Sequence, residues 1–178
     1  FVLNYPKNEG KAQTIFKSCN KILALNNYDF IGYFDADFST PVSEISRMID
    51  AIEIKNDFFL IGSRILLLNS KIERKIHRHI IGRIIVTLIN FNFKLGIYDT
   101  QCGAKFFSKS IVQVAFSKPF KTSWLFDVEV FIRLKRLDLL KHGKEFPLLI
   151  WKDIDGSKLS FKTAFKILKE LYYLKKSY

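Results

Sequence analysis

The sequence predicts an α/β fold built on a largely parallel sheet flanked by helices, and three observations carry that reading. The run from Tyr28 to Phe34 is rich in β-branched and aromatic residues and ends abruptly in Asp35, Asp37 and turn formers. Phe58 to Arg64 is a second apolar run of strand length, closing on Gly62, Ser63 and Arg64. Between them Ile45, Met48, Ile49 and Ile52 recur at helical spacing behind Pro41, so strand, helix and strand follow one another as a parallel βαβ unit.

The remaining elements follow in chain order. Phe1 to Leu3 is strand-like, and its start without Met reads as an N-terminally trimmed chain. Asn8 to Lys11 is a turn that opens a helix with Ile15, Cys19, Ile22 and Leu23 on one face. Lys71 to Arg83 reads as a basic helix that places Arg74 and Arg78 one turn apart, with His77 and His79 beside them. Ile80 to Ile97 continues as an apolar helical stretch, broken by Arg83 and Lys94 and so too polar for a membrane span. Asp99 to Gly103 is a compact polar loop before the strand-like Ala104 to Phe107. Phe126 begins another helix with Asp127 as its N-cap, and Glu145 to Trp151 is a short strand. From Leu159 the tail, 159–178, is an amphipathic helix with Phe161, Phe165, Leu168 and Tyr172 on one side and Lys162, Lys166 and Lys169 on another.

Composition bounds the function. A chain of 178 residues suits one domain, and 48% hydrophobic content with 26% charged residues excludes a disordered chain. The net charge of +12 points to anionic partners: nucleic acid, phosphorylated substrates or an anionic membrane surface. Cys19 and Cys102 lack metal-ligand spacing and cannot form a disulfide framework, which fits a reducing compartment.

The acidic strand end carries the chemistry. On extended backbone Asp35 and Asp37 point to the same side, and like charges held that close call for a cation between them. Their oxygens suit Mg²⁺ or Mn²⁺, which substrate phosphates complete. Ligands in open α/β sheets bind beyond the carboxyl ends of strands, where this pair and Arg64 both lie. Gly10 and Lys11 at a helix start could hold a phosphate, although an ordinary loop would look the same.

Asn-x-Gly-Lys ending at Lys11, Phe34-Asp-Ala-Asp-x-Ser-Thr-Pro41, Gly62-Ser-Arg64, Asp99-Thr-Gln-Cys-Gly-x-Lys105, Phe126-Asp-Val-Glu129, Trp151 and Gly156-Ser-Lys-Leu159 occur in that order. The set resembles family 2 glycosyltransferases with the GT-A fold, a Rossmann-like mixed sheet, and most resembles dolichyl-phosphate β-glucosyltransferases and their bacterial polyprenyl-phosphate relatives. The resemblance implies a membrane-associated enzyme on the cytoplasmic face, at the inner membrane in a bacterium or the ER membrane in a eukaryote. It would transfer glucose from UDP-glucose to a polyprenyl or dolichyl phosphate with inversion, and would have no nucleic-acid partner.

By the same resemblance, Asp35 and Asp37 would hold the metal, while Lys11, Asp35, Asp99 and Gln101 would bind the donor and its sugar. Arg74, Arg78 and Lys158 would meet the acceptor phosphate. Arg64, Asp127 and Glu129 would make up the catalytic set. The family's uracil-holding strand and loop do not precede Phe1. A lipid phosphate is already an anionic nucleophile, whereas a sugar hydroxyl acceptor would require a base such as Asp127. Two rival readings are an aspartyl-phosphate hydrolase and a non-catalytic basic module for nucleic acid or anionic membrane. The first leaves Gly62-Ser-Arg64 and the Asp99 to Gly103 loop unexplained, and the second leaves the buried strand that ends in paired acids unexplained.

Overall fold

The computed structural model describes residues 2–53, 58–154 and 161–178, with the side chains of 161 and 162 left aside. The four-stranded sheet contains β1 (Phe30–Phe34), β2 (Phe59–Ser63), β4 (Ala104–Ser108) and β5 (Gly143–Pro147), in the order β1-β4-β2-β5. Strand β4 pairs antiparallel with both β1 and β2, and β2 pairs parallel with β5. Three of the four strands therefore run the same way, as expected, but β1 and β2 are not neighbours. Because β4 runs in reverse, its N-terminal end meets the carboxyl ends of β1 and β2, with Ala104 opposite Phe34.

Strand β2 is buried along its whole length and its side chains alternate between two cores. Phe59 and Ile61 join Phe107, the helices α4 (Lys109–Ala115) and α5 (Phe126–Arg136), and α1 (Lys11–Leu25). Leu60 joins Phe106, Leu148 and Trp151 on the other face, with Met48 of α2 (Val42–Asp50). Phe107 stacks between Tyr33 and Phe59, at ring-centroid distances of 6.0 and 5.9 Å. Truncation of so enclosed a ring costs about 3–5 kcal/mol.

Helix α1 starts where expected, behind Gly10 at φ +84°, a left-handed conformation that glycine adopts without strain. In α2, Ile45 and Ile52 pack on the core as read from their spacing, but Ile49 is exposed.

Several elements differ from the sequence reading, and the single strand read over Glu145 to Trp151 is two, one ending at Pro147 and the next starting at Ile150. Val2 and Leu3 form no strand, and Val2 is exposed. Lys71 to Glu73 is not helical: it is strand β3, paired in parallel with β6 (Ile150–Lys152), and Ile72 packs on the second core. The helix α3 (Ile76–Phe93) starts only afterwards, so Arg74 precedes it while Arg78 lies in its first turn. Asp127 is not an N-cap, because Leu125 holds that position and Asp127 lies within the first turn of α5.

The tail forms helix α6 (Phe161–Ser177), which buries Ile167, Leu171 and Leu174. Glu170 accepts hydrogen bonds from the N–H groups of Trp124 and Leu125 and from the Ser123 hydroxyl, fixing the approach to α5. Among the described residues no helix is long and apolar enough to cross a membrane.

Candidate active site

A cavity of about 530 Å³ opens beyond the carboxyl ends of β1 and β2, with Asp35, Asp37, Arg64, Asp99, Gln101 and Asp127 in its walls. The chain turns just after β1, so Asp35 and Asp37 reach the cavity from a turn rather than from one face of a strand. The N–H of Asp35 donates to the carbonyl of Gly103, 2.8 Å away, tying the acidic turn to the polar loop. Asp37 accepts hydrogen bonds from the N–H and hydroxyl of Ser39 at 3.0 and 2.5 Å, a local turn in which its side chain stands in for backbone. Partial burial works against the charge on Asp37, but these two donors outweigh it and hold the carboxyl below its ordinary value.

Lys11 reaches in from the start of α1 and its ammonium contacts the Asp35 carboxylate. Burial alone would lower the Lys11 ammonium, yet Asp127, Asp35 and Asp37 around it raise it above its usual value. A divalent cation at Asp35 and Asp37 fits this geometry. The donors are all oxygen, Asp37 is held charged, and Gly103 leaves the space beside Asp35 free of a side chain. Among the described residues no group of three or more His, Cys, Asp or Glu is placed to hold a metal ion by itself.

The opposite wall is built on Arg64 and Asp99. Arg64 grips Asp99 in a fork, Nε to Oδ2 at 2.7 Å and Nη2 to Oδ1 at 2.8 Å, and its own N–H donates to Oδ2 as well. Burial pushes the Asp99 carboxyl up, but the guanidinium wins and holds it far below the usual carboxylate range. Burial likewise opposes the charge on Arg64, and Asp99 raises it in return. The guanidinium also stacks 5.1 Å from the Trp151 ring. Glu145 of β5 accepts hydrogen bonds from the N–H groups of Tyr98 and Asp99, holding the loop in place.

Next to this pair, the Nε2 donor of Gln101 is buried at the cavity wall without a hydrogen-bond partner among the described residues. A donor left unpaired there has a free-energy incentive to meet a ligand oxygen.

Arg74 and Arg78 both line the cavity, although not as one helical face. Arg78 pairs with Asp153 after β6, whereas among the described residues no carboxylate is hydrogen-bonded to Arg74. Burial lowers the Arg74 guanidinium and the nearby charge of Arg64 lowers it further. Its tip rests on Gly82 of α3, where an added Cβ would lie 2.6 Å from Nη2.

Asp127 is held from behind. The Tyr33 hydroxyl donates to its Oδ1 at 2.5 Å, and the Lys105 ammonium, fully buried in β4, lies 2.9 Å from the same oxygen. Glu129 is not brought to the cavity. Two residues along a helix point roughly 200° apart, so Asp127 and Glu129 cannot share a face. Glu129 instead pairs with Arg133 at 2.7 Å and accepts from the Tyr178 hydroxyl at 2.8 Å, deep in the helical layer. Lys158 lies outside the described residues.

Sequence reasoning missed Tyr33, Lys105, Asp153 and Arg83. A lysine inside the apolar Ala104 to Phe107 run was the available signal for one of them. Burial pushes the Cys19 thiol up to about 12 and that of Cys102 to about 11, so neither is a thiolate nucleophile at neutral pH.

No protein-family model matches the chain. It is 29% identical over 178 residues to the dolichyl-phosphate beta-glucosyltransferase ALG5D of Trichomonas vaginalis, covering 96% of this chain and 52% of that protein. To the dolichyl-phosphate beta-glucosyltransferase of Saccharomyces cerevisiae it is 29% identical over 161 residues, covering 82% of this chain and 47% of that protein. The chain thus spans about half the length of the curated relatives it matches.

Among solved structures, glucosyl-3-phosphoglycerate synthase from Mycobacterium tuberculosis, in complex with uridine-diphosphate, superposes with a TM-score of 0.60. That match has 13% identity and covers 97% of this chain and 57% of that one. It shows the fold, which is GT-A. The chain is thus similar in sequence to dolichyl-phosphate β-glucosyltransferases over about half their length, and it has the GT-A fold.

Proposed function

We propose that this chain carries the catalytic site of a glycosyltransferase that moves glucose from UDP-glucose to a dolichyl or other polyprenyl phosphate, inverting the anomeric centre. The observation that supports it best is the convergence, on one cavity, of the paired carboxylates Asp35 and Asp37 with Arg64, Arg74 and the unpaired Gln101 amide. A neutral ligand would leave Arg74 without a hydrogen-bonded anion among the described residues, whereas a donor diphosphate and an acceptor phosphate together supply anions for both walls.

In this reading Asp35 and Asp37 hold a Mg²⁺ or Mn²⁺ ion, which when bound neutralises charge on the diphosphate. Lys11 adds an ammonium on the same side. Gln101 donates to a sugar oxygen, and Arg64 and Asp99 fix each other so that the sugar meets a rigid wall. Arg74 takes the acceptor phosphate. One acceptor oxygen attacks the anomeric carbon from the face opposite the nucleotide. The new O–C bond forms as the bond to the diphosphate breaks, and its electron pair leaves with UDP.

The acceptor arrives ionised, so no proton has to be removed and Asp127 is not required as a base. Held by Lys105 and Tyr33, it serves as a fixed negative charge that keeps Lys11 in position. In this reading such an acceptor comes from the membrane surface, and the enzyme works at its cytoplasmic face.

Release of UDP from UDP-glucose, measured with polyprenyl phosphate present and absent, tests the proposal. Release that depends on the lipid phosphate and yields a glucosylated lipid is expected. Release indifferent to the lipid, or phosphate release from an aryl phosphate with no UDP formed, overturns it.

A further inference from the structure

Gly82 lies in the interior of α3, a helix of 18 residues. Against alanine, a glycine there lowers the folding equilibrium roughly five-fold, so its presence calls for a reason. Backbone conformation does not supply one. Among the described residues the glycines at positive φ are Gly10 and Gly96, whereas Gly82 keeps ordinary right-handed helix geometry. Packing of α3 against another element does not supply one either. Beyond the helix's own backbone, the three atoms nearest to a Cβ added at Gly82 all belong to the Arg74 guanidinium. Nη2 would lie at 2.6 Å, Cζ at 3.4 Å and Nη1 at 3.8 Å.

The guanidinium has little else to aim it. Gly82 stands one turn beyond Arg78 on the same face of α3, and Arg74, Arg78 and Gly82 all line the cavity. Arg78 is committed to Asp153 and Arg64 to Asp99. Arg74 has no hydrogen-bonded carboxylate among the described residues, and the charges of Arg64 and Arg78 act against its own. Its fork is therefore set by the surface it lies on, which is the bare backbone at Gly82.

We propose that Gly82 is a positioning residue for the acceptor phosphate, its missing side chain being the seat that lets the Arg74 guanidinium lie against α3 at the cavity wall. The inference rests on the acceptor-phosphate reading of the cavity and adds what aims Arg74. A methyl group at this place meets only the far end of a flexible side chain, so it spares the fold and moves the fork by roughly 1 Å. A planar fork displaced that far loses its paired fit to phosphate oxygens.

Gly82→Ala, Arg74→Ala and the double variant test the seat as a cycle. The readouts are thermal melts and steady-state transfer to polyprenyl phosphate dispersed in detergent. Gly82→Ala should raise Tm more in the Arg74→Ala background than in wild type, because there the helix gains an alanine without displacing a guanidinium. In transfer, Gly82→Ala should raise KM for the polyprenyl phosphate roughly ten-fold and leave KM for UDP-glucose unchanged. Once Arg74 is alanine, it should raise the lipid constant no further.

An unchanged lipid KM in Gly82→Ala, or an equal rise with Arg74 present and absent, overturns the proposal and leaves the transfer reading standing. So does an equal gain in Tm in both backgrounds. Melts coupled as expected, in a protein whose wild type releases no UDP in response to the lipid, would instead remove the proposed activity and keep Gly82 as the seat of Arg74.

Discussion

A Cβ added to Gly103 would fall 1.8 Å from Oδ2 of Asp35, so the polar loop and the acidic turn fit only because that residue has no side chain. Gly103→Ala should push the Asp35 carboxylate aside while leaving β4 paired. A displacement of about 1 Å in such a site costs on the order of a hundred-fold in rate. Steady-state UDP release together with a thermal melt checks this: a large fall in kcat with little change in Tm is expected.

Asp35→Asn and Asp37→Asn should each lower transfer by about a hundred-fold or more, with the fold intact by circular dichroism. Mn²⁺ binding in the presence of UDP, followed by electron paramagnetic resonance, should weaken in parallel. Full activity of both variants in chelator would remove the metal from the reading.

The buried Arg64–Asp99 pair predicts an acid limb in stability. The Asp99 carboxyl is depressed in the folded state, so its stabilisation is complete well above the unfolded value of about 3.9 and falls away as pH drops below it. Asp99→Asn strands a buried guanidinium and should destabilise the protein by about 3–5 kcal/mol at neutral pH. Urea unfolding at neutral and acidic pH should show a steeper loss on acidification for wild type than for the variant.

The two arginines of the cavity should separate in kinetics. Arg78 is committed to Asp153, while Arg74 has no such partner among the described residues. Arg74→Ala should therefore raise KM for the lipid phosphate by roughly ten- to a hundred-fold, equivalent to about 1.5–3 kcal/mol, and change KM for UDP-glucose little. Arg78→Ala should have the smaller effect on the acceptor and a measurable effect on stability. Varying each substrate in turn with both variants decides it.

What the sequence made legible is what depends on neighbours in the chain. The apolar run ending in Asp35 and Asp37, the helix behind Pro41 and the buried β2 run all stand where their periodicity places them. What it hid depends on distant partners. Lys71 to Glu73 becomes a strand only because Ile150 to Lys152 lies alongside it, and a basic, Ile-containing run carries no sign of that pairing. Lys105 stands out in its apolar run, but nothing local names its partner Asp127, which meets it in the core from another element. Glu129 could have been separated from Asp127 in advance, because the helix was foreseen and the angle between alternate helical residues excludes a shared face. Arg74 and Arg78 do meet the same cavity, but by way of a strand-to-helix bend that helical spacing does not describe.

The reversed strand β4 has a consequence for how the chain reaches this state. β1 and β2 touch each other only through it, with Phe30 opposite Ser108 and Phe59 opposite Phe107. On a ribosome the acidic turn is therefore made early and waits, unanchored, until the segment through Ser108 has emerged. Sheet closure then bridges a long loop and is intrinsically slow. In the interval, the nascent Tyr28 to Phe34 run is an unpaired apolar strand edge, open to pairing with the wrong partner.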